Sequence, residues 1–316
     1  MNIAQREGWI WFDGALKPWA QCATHVMTHT LHYGLGVFEG LRCYRTPDGP
    51  ALFRLGDHTR RLLQSAHILR LEIPFSQEAL ERAQIDVARA NQLEDGYLRP
   101  IAFLGPEKFG IDPIGAQVHV AIAGWDMAAF GQGGNYLGAN ALSAGIRVRI
   151  SSYARHHVNV QMCRSKSVST YANSILANRE ARADGYDEAL LLDTDGFVAE
   201  GAGENVFLVR DGRLIEPELT SALDGVTRRS VIELARAAGI AVESRRVTRD
   251  ELYIADEVFF TGTAAEITPV VEVDRRRIGS GAPGGVTLRL QQAYRGCVGG
   301  CDAAREGWLT RVGRFN

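Results

Sequence analysis

The sequence contains very little lysine. Of its 35 basic residues, only Lys17, Lys108 and Lys166 are lysines, and arginine supplies the rest of the positive charge. A lysine amine that can lose its proton is able to react with an aldehyde, as the lysines of Schiff-base enzymes do. If a lysine carries out chemistry in this protein, there are therefore three candidates.

Long apolar runs are also missing. No stretch approaches the roughly 18 apolar residues that a membrane helix needs. The N-terminal sequence MNIAQREGWIWFDG lacks a basic segment followed by an apolar one, so no signal peptide is expected and a cytoplasmic location is the default. The net charge of −2 and the isoelectric point of about 6.5 do not suggest nucleic acid or a membrane surface as a partner.

Cysteine is sparse and odd in number. The five cysteines predict reduced thiols and no disulfide framework. Cys297 and Cys301 have the spacing C-x3-C, but no second Cys or His pair lies nearby, so a zinc site is not expected. The eight histidines show no convincing metal-ligand spacing, and His156-His157 is interpreted as structural.

Helical and strand patterns alternate along the 316 residues, which is enough chain for two domains with their own cores. The pattern around Asp13-Gly14 predicts a hairpin, and Asp57 and Ser76 are each predicted to cap a helix. Four glycines in GQGGNYLG, residues 131–138, indicate a linker. Further strands are predicted at Tyr97–Leu104, Val118–Trp125, Ile146–Ser151, Ala189–Asp193, Asn205–Val209 and Val258–Thr261, and helices at Thr170–Ala183, Thr227–Ala238 and Thr287–Tyr294.

Lys166 lies in CRSKSVSTY, between a predicted strand and a predicted helix. Small polar residues surround it, and no acid nearby in the sequence can pair with its amine. A partly buried, acid-free setting favours the neutral amine that Schiff-base chemistry requires. Judged by this local context alone, a solvated surface lysine is the favoured alternative.

Two segments have the pattern of anion-binding backbone. Asp224-Gly225-Val226-Thr227 opens a predicted helix, where free N–H groups and a hydroxyl can hold a phosphate. The small-residue turn Thr261–Ala265 can bring further N–H groups toward an anion. An ordinary capped helix and an ordinary turn are the favoured alternatives for each segment alone.

Two charged residues are further candidates. Glu200, in VAEGAGENVF, has small neighbours that allow the close approach of a ring, and its carboxylate can pair with a pyridinium nitrogen. Arg61, on a predicted helix, can reach a phosphate with two hydrogen bonds. A solvent-exposed loop glutamate and a surface arginine are the alternatives.

Together these pieces resemble the branched-chain amino acid aminotransferases of pyridoxal-5′-phosphate (PLP) fold type IV. The matching segments run in family order over most of the chain, and their number makes a chance resemblance implausible. They are HTLHYGLGVFEGLRCY, FRLGDHTRRLLQSA, GYLRP, SKSVSTYANSILANREARADGYDEALLLD, EGAGENVFLV, SALDGVTRRSVIELA and FTGTAAEITPV.

The resemblance implies a role for each residue that matches the family's cofactor motifs. Lys166 resembles the catalytic Schiff-base lysine, which also moves the proton between the substrate's Cα and the cofactor's C4′. Tyr171 resembles the partner of the phenolic oxygen, and Glu200 that of the protonated pyridine nitrogen. The remaining cofactor contacts that the resemblance implies are Arg61, Gly225, Val226, Thr227 and Thr263 around the phosphate and Leu223 against the ring.

The substrate side is assigned in the same way. The backbone of Thr263 and Ala264, with Tyr97, resembles the α-carboxylate site. Arg99 resembles the group that binds the distal carboxylate of glutamate. Tyr33, Phe38 and Tyr136 resemble residues that line the side-chain pocket.

The implied fold is α+β, with two α/β domains that contain mixed sheets. A small domain at 1–128, an interdomain loop at 129–142 and a large PLP-binding domain at 143–316 are expected. The implied reaction is ping-pong transfer of the amino group of L-leucine, L-isoleucine or L-valine to 2-oxoglutarate (EC 2.6.1.42), in branched-chain amino acid metabolism. The family's shared active site implies a homodimer or a higher homo-oligomer, and no metal.

One departure from the family affects the substrate range. The family's linker usually reads like PWGAYLG and places a tryptophan in the pocket, whereas this chain has the longer WDMAAFGQGGNYLG. A larger or more mobile pocket leaves (R)-amines or D-amino acids open as alternative donors. The motifs HYGLGVFEG and GYLRP favour the branched-chain enzymes over these and over aminodeoxychorismate lyase. A protein that keeps the fold but binds no PLP is the non-enzymatic alternative.

Overall fold

The computed structural model describes residues 3–130 and 137–313. Two compact units form. The first contains Met1–Ala129, Ser165–Ser169 and Cys297–Asn316, and the second contains Phe130–Arg164 and Thr170–Gly296. The division into domains at 1–128 and 143–316 around a loop at 129–142 stays a prediction.

The first unit is built from eight strands and three of the helices described. The strands are β1 (Trp9–Phe12), β2 (Ala15–Pro18), β3 (Gly36–Phe38), β4 (Leu41–Tyr44), β5 (Ala51–Phe53), β6 (Gly96–Leu104), β7 (Val118–Asp126) and β17 (Leu309–Arg311). The helices are α1 (His29–Tyr33), α2 (Leu55–Ile68) and α3 (Gln77–Ala90).

The second unit has nine strands in the described residues. They are β8 (Ile146–Ile150), β9 (Glu188–Leu192), β10 (Val198–Gly201), β11 (Asn205–Arg210), β12 (Arg213–Pro217), β13 (Val242–Arg245), β14 (Glu257–Gly262), β15 (Glu266–Val273) and β16 (Arg276–Arg277). Its helices are α4 (Ala141–Ala144), α5 (Tyr171–Ala183), α6 (Val226–Ala237), α7 (Arg249–Tyr253) and α8 (Gly285–Val298).

The sheet of the first unit is antiparallel at every described pair, in the order β17-β5-β4-β6-β7-β1-β2, with β3 also on β6. The predicted hairpin is confirmed. Asp13 and Gly14, at φ 48° and 100°, form the two-residue turn between β1 and β2. Apolar side chains of α2 and α3, among them Leu62, Leu80 and Val87, pack with those of the strands in one core.

The two predicted helix caps have different outcomes. Ser76 does cap α3, because its hydroxyl accepts the N–H of Ala79 at 3.2 Å. The prediction for Asp57 is wrong. α2 begins earlier, after Arg54 in a left-handed conformation at φ 54°, and Asp57 lies inside the first turn. There it forms an ion pair with Arg54 at 2.7 Å. Its negative charge in the first turn stabilises the helix, but its side chain is not the cap.

The sheet of the second unit is mixed, in the order β10-β9-β8-β15-β14-β11-β12-β13. β8 runs parallel to both β9 and β15, and β12 runs parallel to β13. Apolar side chains such as Val206 and Phe260 form the larger core, and α5 packs Ala177 and Ala181 on β9 in a second one. Both faces of this sheet therefore carry apolar side chains.

The predicted α+β class is confirmed, and parallel pairing among the described strands is confined to the second unit. The predicted elements lie within a few residues of those observed. The last helix is the exception, since it extends from Gly285 to Val298. Among the described residues, no helix is both long and apolar enough to cross a membrane.

Candidate active site

Lys166 is held in the first unit by its own backbone. Its N–H donates to the hydroxyl of Ser65 on α2 at 3.0 Å, and its carbonyl accepts the N–H of Phe38 on β3 at 3.0 Å. Ser167 forms an isolated bridge with Val37 of the same strand. The segment is thus fixed at both sides of Lys166, and the lysine is half-buried, not solvated on the surface.

Aromatic rings lie close to the side chains of Lys166 and Arg99. The Lys166 Nζ lies 5.0 Å from the centre of the Phe38 ring. On the same ring, the Arg99 guanidinium carbon lies at 4.7 Å, and it also lies 5.4 Å from Tyr97 and 6.0 Å from Trp125. The Nε of Arg99 is buried without a hydrogen-bond partner. The structure therefore brings Lys166, Phe38, Tyr97 and Arg99 together, with an arginine that has donor capacity to spare.

Arg61 is buried and bound to a carboxylate. Its Nε and Nη2 donate to the two oxygens of Glu39 at 2.6 and 2.9 Å. His58 Nδ1 lies 2.8 Å from Glu39 Oε2. The side chain of Arg61 is 9% exposed and that of Glu39 is 1% exposed, so this is a charge pair removed from water. The surface-arginine alternative therefore does not apply to Arg61.

The ionisation of this cluster follows from its contacts. Burial raises the pKa of Glu39, but the Arg61 charge and the hydrogen bonds from His58 and Arg61 outweigh burial and hold that pKa well below the usual carboxyl range. Burial, together with the Arg61 and Lys166 charges, lowers the pKa of His58 by more than Glu39 raises it. His58 is therefore neutral at neutral pH, and its Nδ1–H donates to Glu39, which can only accept.

Tyr33 is the last residue of α1. Its ring is 40% exposed and contacts His29 at 4.6 Å and Phe109 at 5.8 Å between ring centres. The structure therefore places it in an aromatic cluster at the start of the 105–117 loop. A role in the side-chain pocket stays a prediction.

Glu200 anchors a hydrogen-bond network in the second unit. The carboxylate is 6% exposed. Its Oε1 pairs with Arg155 at 2.6 Å, and its Oε2 accepts the N–H of Leu223 at 3.1 Å and the amide of Asn205 at 3.3 Å. A buried carboxylate is stable only with such partners. The exposed-loop alternative for Glu200 is excluded by this burial.

The predicted anion site at the start of α6 is well ordered by its neighbours. Asn205 donates to the carbonyl of Leu223 at 2.8 Å, which ties the approach to α6 to the Glu200 network. Gly225 is the N-cap residue, and a Cβ on it would lie 2.1 Å from Asn205 Oδ1. Val226 and Thr227 follow as the first, buried residues of the 12-residue helix. Glycine thus allows the start of α6 to lie against the Asn205 side chain.

Thr263 and Ala264 lie in the turn between β14 and β15 and are half-buried. The strand that precedes this turn pairs with β11, with Thr261 opposite Asn205. The hydroxyl of Thr261 is buried and has no hydrogen-bond partner. The register therefore brings the turn next to the strand that carries Asn205, as the prediction of a shared site requires.

Tyr171 is the first residue of α5. Arg155 connects this helix to Glu200, because it donates to Ser174 Oγ at 3.3 Å while it pairs with the Glu200 carboxylate. Ser174 is one turn after Tyr171 and shares its helix face. Tyr136 falls outside the described residues.

Sequence reasoning missed Glu39, Arg155, Asn205 and Trp125. Glu39 lies inside the motif HYGLGVFEG and Asn205 inside EGAGENVF, so the segments were recognised while the residues were not. An arginine such as Arg155 gives no signal in a chain this rich in arginine. Among the described residues, no group of three His, Cys, Asp or Glu side chains is arranged to hold a metal ion.

Comparisons with known proteins cover nearly the whole chain. The family model described as amino-transferase class IV matches residues 36–273. The chain is 51% identical over 312 residues to the branched-chain-amino-acid aminotransferase of Pseudomonas aeruginosa, covering 99% of this chain and 100% of that one. It is 44% identical over 310 residues to the enzyme of the same name from Escherichia coli K12, covering 98% of both.

Solved structures agree with these sequence relatives. The T.th. branched-chain amino acid aminotransferase complexed with N-(5′-phosphopyridoxyl)-L-glutamate superposes with a TM-score of 0.92 at 46% identity, over 97% of this chain and 99% of that one. The E. coli branched-chain amino acid aminotransferase superposes with a TM-score of 0.93 at 43% identity, over 97% and 100%. These neighbours have fold type IV, so the predicted fold is confirmed.

Proposed function

The chain belongs to the class IV aminotransferases, and from that premise we propose that it is a branched-chain-amino-acid transaminase (EC 2.6.1.42) that depends on PLP. It transfers the amino group of L-leucine, L-isoleucine or L-valine to 2-oxoglutarate, in branched-chain amino acid metabolism. The observation that carries the proposal is the Glu200 network, where a buried, paired carboxylate is joined through Leu223 to the N-terminus of α6.

The residues present fit the cofactor. Glu200 keeps its negative charge through Arg155 and can hold a proton on a pyridine nitrogen. The N–H groups that open α6 are suited to a phosphate, and a side chain at Gly225 would clash with Asn205. When bound, PLP supplies an aldehyde that carries the amino group and a ring that withdraws electrons from the reacting carbon.

We assign the cofactor roles as follows. The Lys166 amine bonds to the cofactor and moves the proton at the substrate's Cα. The Tyr171 hydroxyl donates to the phenolic oxygen, and Leu223 packs against the ring. The phosphate is bound by the groups that offer N–H and O–H donors, which are Arg61, Gly225, Val226, Thr227 and Thr263.

The substrate roles follow the chemistry of the two substrates. The backbone of Thr263 and Ala264, with the Tyr97 hydroxyl, binds the α-carboxylate that both substrates share. Phe38 and Tyr33, with Tyr136 of the interdomain loop, provide apolar surface for the aliphatic chain. Arg99 binds the distal carboxylate of 2-oxoglutarate, and the aromatic rings around its guanidinium support this role because they leave its Nε without a partner.

Two experiments test these assignments. The purified protein is expected to be yellow, and borohydride reduction followed by peptide mapping should place a pyridoxyl group on Lys166. A colourless protein would support the non-enzymatic alternative, and an adduct on Lys17 or Lys108 would refute the assignment of the lysine.

A donor screen with 2-oxoglutarate tests the substrate. L-Leucine should be used well, and D-alanine and (R)-1-phenylethylamine poorly. No turnover of L-leucine would overturn the branched-chain assignment, and strong turnover of the (R)-amine would favour the alternative class of donors.

We also propose a homodimer or a higher homo-oligomer that acts in the cytoplasm. Support for self-association comes from apolar side chains on the 105–117 loop, where Phe109, Ile111 and Ile114 are 55%, 88% and 78% exposed. Large apolar side chains exposed together are typical of an association surface. Light scattering of the purified protein should give at least twice the mass of the 34.6 kDa chain, and a monomer at micromolar concentration would contradict this proposal.

A further inference from the structure

We propose that Glu39 is a positioning residue for the cofactor phosphate, which acts by fixing the guanidinium of Arg61. The inference rests on the proposed function, because it takes Arg61 as a phosphate ligand. The inference states that one specific carboxylate sets the orientation of Arg61. It predicts that loss of this carboxylate weakens binding only of ligands that carry the phosphate group.

The geometry of the pair leaves Arg61 little freedom. Glu39 accepts from Nε and Nη2 of Arg61 at 2.6 and 2.9 Å, so the planar guanidinium is gripped along one edge. Two parallel hydrogen bonds fix the plane as well as the position of the group. The orientation of the whole guanidinium is thereby set, and a fixed orientation is what recognition of a phosphate by this group requires.

Glu39 is itself held by its surroundings. Its backbone N–H donates to the carbonyl of Pro100 on β6 at 2.8 Å. Its Oε2 also accepts from His58 at 2.8 Å and from the N–H of Gly40 at 3.3 Å. His58 lies three residues before Arg61 on α2, so both reach the carboxylate from one face of the helix. The carboxylate is therefore held in place, and two residues of α2, His58 and Arg61, bind to it.

The neighbouring residue serves Lys166 in the same way. The N–H of Phe38 donates to the carbonyl of Lys166 at 3.0 Å. Phe38, the last residue of β3, thus holds the backbone of the proposed cofactor lysine. Glu39, the next residue, holds the side chain of the proposed phosphate ligand. A movement of this short segment would displace both groups together.

A purely structural salt bridge is the competing explanation. Removing one partner of a buried ion pair destabilises a fold whatever its function. The two explanations differ in what they predict for ligands with and without a phosphate. Pyridoxal offers the same aldehyde and ring as PLP but lacks the phosphate, so a positioning role for Arg61 affects PLP selectively.

The experiment measures dissociation constants of PLP and of pyridoxal for the full-length chain stripped of cofactor, from the visible absorbance of the complex. Glu39→Gln is expected to weaken PLP binding by about 10- to 100-fold, as loss of an outer partner of a ligand-binding group does at metal sites. Pyridoxal binding should change little. Glu39→Asp keeps the charge but retracts it by one methylene, so an intermediate, still phosphate-selective loss is expected.

The matched control is Glu188→Gln. Glu188 is 1% exposed, accepts from Asn178 and its own strand, and has no arginine partner among its hydrogen bonds. This variant should leave the ratio of the two dissociation constants unchanged. Circular dichroism establishes which variants fold. If Glu39→Gln does not fold, the dissociation constants of Glu39→Asp provide the test.

Equal weakening of PLP and pyridoxal in the Glu39 variants, or no weakening of either, would overturn the inference. A wild-type chain that binds neither compound would instead overturn the proposed function, so the two failures are distinguishable. Selective weakening of PLP by the control variant would also overturn it, because any lost buried carboxylate would then have the same effect.

Discussion

Four buried glutamates show how single residues in this protein keep or lose their charge. Glu39 and Glu200 each face an arginine at 2.6 Å, and the Arg61 charge with the hydrogen bonds from His58 and Arg61 holds the pKa of Glu39 well below the usual carboxyl range. Glu188 and Glu204 have hydrogen bonds but no arginine among them, and burial raises the pKa of each. Since an unpaired charge is costly away from water, burial favours the neutral form of Glu188 and Glu204, whereas Arg61 and His58 keep Glu39 ionised.

The Glu200 carboxylate should be essential for its charge and not for its shape. Glu200→Gln keeps a hydrogen-bond acceptor for Arg155 but removes the negative charge proposed to hold a proton on the pyridine nitrogen. We expect kcat with L-leucine and 2-oxoglutarate to fall by about 100-fold or more, the usual effect of losing one electrostatic contact to the reacting centre.

Steady-state kinetics of Glu200→Gln and Glu188→Gln provide the comparison. The second variant should keep kcat close to that of the wild type, because the hydrogen bonds described for the Glu188 carboxylate are to Asn178 and its own strand. A Glu200→Gln enzyme with nearly normal kcat would refute the role given to Glu200.

Glu204 should make the stability of the protein depend on pH. Its Oε2 accepts the N–H of Gly203 at 3.0 Å, while Oε1 is buried without a partner. Burial raises the pKa of Glu204 to about 7, against the effect of the backbone N–H groups. The folded protein thus keeps a proton that the unfolded chain releases above about pH 4.3, and the free energy of unfolding falls as the pH rises from there to about 7, by about 4 kcal/mol at most.

The Glu204→Gln variant has a neutral amide at this position, which does not ionise in this pH range. Its melting temperature relative to that of the wild type should therefore rise between pH 5 and pH 8. A difference in melting temperature that is the same at both pH values would show that Glu204 is ionised in the folded protein throughout.

At the scale of elements, the start of a helix depends on neighbours that its own sequence does not reveal. Ser76 caps α3 through a local contact to Ala79, and the local pattern predicted it. Asp57 has the same pattern but does not cap α2, because the chain enters that helix through Arg54 in a left-handed conformation. The start of α6 depends on Gly225, because the side chain of Asn205 on β11 leaves no room for a Cβ at this position.

The proposed anion-binding end of α6 should not tolerate a methyl group at Gly225. Gly225→Ala would place its Cβ 2.1 Å from Asn205 Oδ1, so either the helix start or Asn205 must move. We expect weaker PLP binding and a lower melting temperature, both measured on the purified variant.

Gly296→Ala is the matched control on α8. Nothing lies within 4 Å of a Cβ at that position, and alanine favours a helix interior over glycine by about 1 kcal/mol. This variant should bind PLP normally and melt no lower than the wild type. Equal loss of PLP binding in both variants would contradict the role of the α6 N-terminus.

The whole molecule offers amine reagents few targets, because it has three lysines. Lys17 and Lys108 are exposed, whereas Lys166 is half-buried and its amine is proposed to be bonded to the cofactor. Acetylation of the holoenzyme should therefore modify Lys17 and Lys108 and spare Lys166, as measured by peptide mass spectrometry. Removal of the cofactor should make Lys166 reactive, and modification of Lys166 at the same rate with and without PLP would contradict its role.

The sequence by itself determined the family and many of the helices and strands. Hydrophobic periodicity and turn residues depend on near neighbours in the chain, so the hairpin at Asp13-Gly14 and the cap at Ser76 were predictable. The ordered motifs likewise predict the roles of Lys166 and Glu200, because a motif is a local pattern. Only the tertiary structure decided which charges meet. Glu39 joins Arg61, and Arg155 joins Glu200, through packing of segments that are distant in the chain, and no local pattern specifies such a pair.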